Sequence, residues 1–146
     1  MTQATRPSRS IRGVASVELA VLLIPLVIMA FGMTELGRAF YHYNALVKSV
    51  RNASRYLSMH QRNEVNAQAR CLAVHGNTSC SGDPLLPGLE TGMVAITYEA
   101  AVPTGHGSID LVTVTISGYP FSTLTAMPVD AMRFGDISAT MRQGAS

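Results

Sequence analysis

From Val14 to Met33 the chain is almost wholly apolar, interrupted only by Ser16, Glu18, Pro25 and Gly32. About 20 residues at about 1.5 Å each reach about 30 Å, the thickness of a bilayer's hydrocarbon layer. Summed over the leucines, isoleucines, valines and Phe31, insertion is favoured by about 3–5 kcal/mol, and Pro25 and Gly32 subtract from that. Pro25 also removes one backbone hydrogen bond, which predicts a kink that neighbouring helices can tolerate. The pattern therefore predicts a transmembrane helix over residues 14–34.

Beyond it the apolar positions thin out but keep a helical period. Residues 38–59 contain neither proline nor glycine, and Phe40, Tyr43, Val47, Val50 and Leu57 recur along one face, with Ser54 interrupting it. Lys48, Arg51, Arg55 and Arg62 form a second, basic stripe. It is either a solvated face or a contact for another subunit or for anionic lipid. Glu35 and Arg38, three apart, suit an ion pair at the membrane exit. A second helix is expected over 63–74, capped by Asn63 and ended by Gly76. Residues 35–75 thus read as a helical stalk and exterior helix, and 76–92 as a loop rich in glycine and proline.

After residue 92 the period changes to two. Val94, Ile96 and Tyr98 alternate with Ala95, Thr97 and Glu99; Val112, Val114 and Ile116 alternate with Thr113, Thr115 and Ser117. Pro103–Ser108, with two glycines, suits a hairpin between these strands. A third strand is expected over 132–141, with Gly135 marking a bulge. Tyr119-Pro120-Phe121 and Pro128 punctuate the crossing to it. Residues 93–146 then form a small antiparallel sheet with one apolar face, which the amphipathic helix covers. The fold class is α+β.

Composition and charge narrow the function. Charged residues make up 14% of the 146 positions, against about a quarter in soluble domains, and the apolar run accounts for the difference. The net charge of +2 is small and dispersed, which excludes a nucleic-acid partner. Residues 1–13 are polar and carry Arg6, Arg9 and Arg12, so a disordered basic leader is expected, with the N-terminus on the cytoplasmic side. Arg38, Lys48, Arg51 and Arg55 beyond the span weaken that asymmetry. A cleaved secretory signal is the competing interpretation, although no small-x-small site follows the apolar run.

Cys71 and Cys80 flank Gly76-Asn77-Thr78-Ser79. Outside the cytoplasm they would form a local disulfide, which agrees with the orientation set by the leader. A metal site of Cys71, His75 and Cys80 is the alternative, short of one ligand. His42, His60, His75 and His106 are scattered, Glu99 and Asp110 are ordinary hairpin carboxylates, and Gly105-His106-Gly107 precedes no helix. Neither an enzyme nor a cofactor is expected.

Glu18 carries the functional argument. A carboxylate in a membrane segment costs about 2.5–3.5 kcal/mol at the bilayer centre and less near an edge, so it is usually kept for a partner. Cleavage after Gly13 would give a neighbouring subunit a free α-ammonium group at Val14 to meet it. Residues 12–20, Arg-Gly-Val-Ala-Ser-Val-Glu-Leu-Ala, then the run through Pro25 and Gly32-Met33-Thr34-Glu35-Leu36-Gly37-Arg38, resemble the TadE-like family of the tight-adherence pilus machinery. Val50-Arg51-Asn52-Ala53-Ser54-Arg55-Tyr56 is similar to that family's arginine-containing stretch, and Ile137–Arg142 to its terminal strand.

The resemblance implies that a prepilin peptidase removes the leader after Gly13, and that Glu18 serves processing or subunit pairing. Leu19 stands where the major pilins usually carry an aromatic residue, and the exterior domain is large for such a pilin. Both imply a minor pilin or pseudopilin. The implied partners are the peptidase, other pilin-like subunits, the inner-membrane assembly platform and membrane lipid. The implied location is the bacterial inner membrane, with the C-terminal domain periplasmic. The rival is an unprocessed, single-pass binding module that recruits a partner through its exterior domain.

Overall fold

The computed structural model describes residues 12–123 and 132–144. Two compact units divide at Leu36 and Gly37. Most of the basic leader lies outside the described residues, as does Pro128. Arg12 and Gly13 already have helical backbone, so the disorder expected through residue 13 does not extend to these two.

One helix, α1 (Arg12–Ser58), supplies the whole described part of the first unit, and Pro25 lies inside it without ending it. Proline costs a helix one hydrogen bond but leaves the other turns closed. Every residue from 13 to 34 is exposed. An apolar surface of this length is untenable in water and suits lipid. The segment is long enough to cross a membrane once.

In the second unit the later turns of α1 bury Leu46, Val50, Ala53 and Leu57, at steps of four, three and four. Such spacing places all four on one side of the helix. Helix α2 (Asn66–His75) adds Ala69, Ala73 and Val74, and the following loop adds Leu86 and Leu89. Strands β1 (Val94–Thr104), β2 (Gly107–Ile116) and β5 (Ile137–Arg142) form an antiparallel sheet in the order β1-β2-β5.

Cross-strand register builds the apolar face of this sheet in rows. Val94, Ile116 and Ile137 align, as do Ile96, Val114 and Ala139, and then Tyr98, Val112 and Met141. Cross-strand neighbours of this kind are the unit of sheet stability. On the opposite face Thr97, Thr113 and Thr140 align, and the Thr113 and Thr140 hydroxyls lie 2.7 Å apart. The alternation read from the sequence is therefore realised, and the three-stranded α+β architecture with its long N-terminal helix holds.

Local details depart from expectation. Phe40 and Tyr43 are exposed, whereas Val47, Val50 and Leu57 of the expected face pack in the core, joined there by Leu46 and Ala53. Asn63 does not cap α2. It takes a left-handed backbone, φ 66°, which asparagine tolerates better than most residues, and α2 begins three residues later. Arg62 lies beyond the end of α1, where it donates to the Tyr98 carbonyl at 3.2 Å and stacks over the Tyr98 ring. It is not part of the helical stripe.

The third strand is divided. Met132–Arg133 (β4) pairs with Pro120–Phe121 (β3) as a separate ribbon, and only β5 joins the main sheet. The bulge sits in β1 instead of at Gly135. Ala100 and Ala101 face the single residue Asp110, and the Asp110 carboxylate accepts the Ala101 N–H at 2.8 Å. An extra residue in one strand leaves a backbone group that a side chain must satisfy.

Candidate processing and assembly site

Gly13, Val14 and Glu18 occupy the first turns of α1, and all three are exposed. With Val17, Val21 and Leu22 they line a shallow, open depression on the helix surface. Val14 and Glu18 are one turn apart, so they share a face. Among the described residues Glu18 has no ion-pair partner. A Cβ added at Gly13 would meet nothing within 4 Å, so glycine is not required there by packing.

Lys48, Arg51 and Arg55 are exposed on α1, at steps of three and four. The structure brings these three together and separates Arg62 from them. Cys71, on α2, is bonded to Cys80 with 4.7 Å between Cα atoms. Closing so short a loop contributes about 2–3 kcal/mol in the chain-entropy account. With its sulfurs joined to each other and His75 Nδ1 donating to the Gly82 carbonyl at 3.0 Å, the three-ligand metal alternative is overturned. Within the loop the Asn77 side-chain oxygen accepts the N–H groups of Ser79 and Ser81 at 3.2 and 3.1 Å.

A cluster that the sequence had suggested only as punctuation joins α1 to the β3–β4 ribbon. The Tyr119 hydroxyl donates to the Pro87 carbonyl at 3.0 Å and lies 2.8 Å from His42 Nδ1. Its one proton goes to the carbonyl, so His42 must donate from Nδ1. The Phe121 ring meets the His42 ring edge-on at 5.2 Å, and the Arg38 guanidinium lies over Phe121 at 5.4 Å. Arg38 also donates to the Ser122 carbonyl at 3.3 Å. The only sequence signal was that Arg38 and His42 are one turn apart on a helix, which says nothing about a partner some 77 residues away.

Burial, and secondarily Arg38, holds the His42 pKa below its usual value. Burial raises that of Tyr119, opposed by Arg38. The folded state thus binds fewer protons at His42 than the unfolded chain does. This contribution to stability is complete above the ordinary histidine value of 6.5 and is lost as pH falls through the lower folded value. Chemical denaturation of the wild type between pH 7.5 and 5 is expected to show a steeper loss of stability than that of His42→Asn. Parallel pH profiles would remove His42 from this role.

Residues 13–55 match the family model described as TadE-like protein. Over this stretch the chain is similar to TadE-like proteins. The match begins at Gly13, runs through the apolar segment and ends at Arg55, the last residue of the basic stripe. It points to a Tad pilus-related membrane protein with an N-terminal apolar helix. Helix α2, the disulfide and the sheet lie outside the TadE-like segment. Comparison with curated proteins and with solved structures finds no significant match.

Proposed function

We propose that this chain is a pilin-like structural subunit, a minor pilin or pseudopilin, for assembly of a tight-adherence-type pilus. A prepilin peptidase hydrolyses the bond between Gly13 and Val14, and the mature chain stays in the bacterial inner membrane by its single span. The single observation that carries this reading is Glu18. It lies five residues after Gly13, on an exposed apolar helix, where the TadE-like match begins.

A carboxylate so placed supplies a directional contact among apolar surfaces that have none. The Val14 α-ammonium group of a neighbouring subunit offers the opposite charge. The Cys71–Cys80 disulfide supports a periplasmic exterior unit, because such bonds persist in oxidising compartments. The assembly platform and other pilin-like subunits are the partners.

N-terminal sequencing of protein purified from membranes tests the reading. A first residue of Val14 supports it; a chain still carrying residues 1–13 overturns processing and favours an unprocessed, membrane-anchored binding module. That second reading draws on the exterior unit, which has its own core and lies largely outside the TadE-like match. Glu18→Ala is expected to leave membrane insertion intact and to impair piliation. Normal piliation in that variant would exclude Glu18 from assembly.

A further inference from the structure

The loop after α2 is held by hydrogen bonds that do not involve its sulfurs. Leu85 donates its N–H to the Val74 carbonyl at 2.7 Å, and His75 Nδ1 donates to the Gly82 carbonyl at 3.0 Å. These two bonds close the loop back onto the end of α2. Inside it the Asn77 side chain is fully engaged. Its oxygen accepts the N–H groups of Ser79 and Ser81 and the Ser79 hydroxyl, at 3.2, 3.1 and 3.1 Å. Its nitrogen donates to the carbonyls of His75 and Ser81 at 3.3 and 2.8 Å.

Cys80 stands between the two serines that Asn77 grips. Its backbone is left-handed, φ 53°, which residues other than glycine and asparagine seldom adopt. The Asn77 bonds fix both neighbours of Cys80 and so hold it in this conformation without help from Cys71. The two cysteines also differ in access. Cys80 is exposed, whereas Cys71 is half-buried on α2, two residues before the fully buried Ala73. An oxidant approaching Cys71 meets the loop itself, since the two Cα atoms are 4.7 Å apart.

We propose that the Cys71–Cys80 bond is made in a fixed order by exchange with the disulfide of an oxidising partner, Cys80 reacting first and Asn77 positioning it for Cys71. The Cys80 thiolate attacks one sulfur of the partner's disulfide, and the other sulfur leaves as a thiolate. The Cys71 thiolate then attacks Cys80 Sγ. The Cys71–Cys80 bond forms, the mixed disulfide breaks, and the partner departs as a dithiol. Each cysteine loses one proton, and two electrons pass to the partner. Exchange of this kind runs through a mixed disulfide, and access helps to decide which thiol enters it. The order depends on neither leader removal nor pilus assembly, so N-terminal sequencing and piliation leave it untouched.

Full-length protein purified from membranes, reduced, freed of reductant and mixed with oxidised glutathione tests this by intact mass against time. Cys71→Ser, which leaves Cys80, is expected to take up glutathione about tenfold faster than Cys80→Ser, which leaves Cys71. Wild type should close without visible mixed disulfide. Asn77→Ala should accumulate the Cys80 adduct and close about tenfold more slowly, the worth of one or two net hydrogen bonds. In the Cys71→Ser chain the same Asn77→Ala change should leave uptake within about twofold, because the first step needs only access. Equal uptake by the two single-cysteine chains, or faster uptake at Cys71, would overturn the order. Closure of Asn77→Ala at the wild-type rate, or a change in Cys80 uptake as large as the change in closure, would overturn the positioning role.

Discussion

Gly13→Leu is expected to abolish the mature form of the protein while leaving its fold and membrane insertion unchanged. Gly13 is exposed, and a side chain there meets no neighbour within 4 Å. Leucine is also a strong helix former, so the first turn of α1 is not weakened. The span's insertion energy resides in the leucines, isoleucines and valines after it and gains slightly from the change. A processing defect in this variant therefore reads recognition of the cleavage site and not damage to the chain. Immunoblotting of membranes should show one band, longer by residues 1–13, and piliation should be lost. Persistence of the mature-sized band would exclude cleavage at this bond.

Val114→Asp is expected to unfold the exterior unit. Val114 is 0% exposed at the centre of the middle strand, between Ile96 and Ala139 in register. A carboxylate there has no partner, and its burial costs several kcal/mol whether it stays charged or takes up a proton. A domain of this size is stable by about 5–15 kcal/mol, so one such change removes a large part of the total. Limited proteolysis of the membrane-bound chain should show rapid loss of residues after the span, which lipid protects. Ser138→Asp, exposed on the opposite face of the sheet, should resist like the wild type. Equal resistance in both variants would mean that the β1-β2-β5 face is not the core.

The contrast between these two substitutions reflects two kinds of stabilisation in one polypeptide. The first unit is held by its own helical hydrogen bonds and by lipid, so it tolerates side chains one at a time. The second depends on apolar rows contributed by strands distant in sequence. Its small size leaves it reliant on close packing and on the Cys71–Cys80 staple.

Much of this protein was determined by its sequence alone, because the interactions involved are local. The apolar run, the strand alternation from Val94 to Ile116, the left-handed stop at Gly76 and the nearness of Cys71 to Cys80 all depend on neighbours within a few residues. What only the tertiary structure decided was how much of the apolar face of α1 meets the core. Of Phe40, Tyr43, Val47, Val50 and Leu57, the last three pack there, joined by Leu46 and Ala53, while Phe40 and Tyr43 stay exposed, and helical period cannot make that division. The choice is made by strands up to about 90 residues away, whose register sets where the apolar face lies. The link from His42 through Tyr119 to Pro87, the separate β3–β4 ribbon and the bulge opposite Asp110 are of the same kind. Each satisfies a polar group or an apolar ring with a partner that only the folded chain brings near.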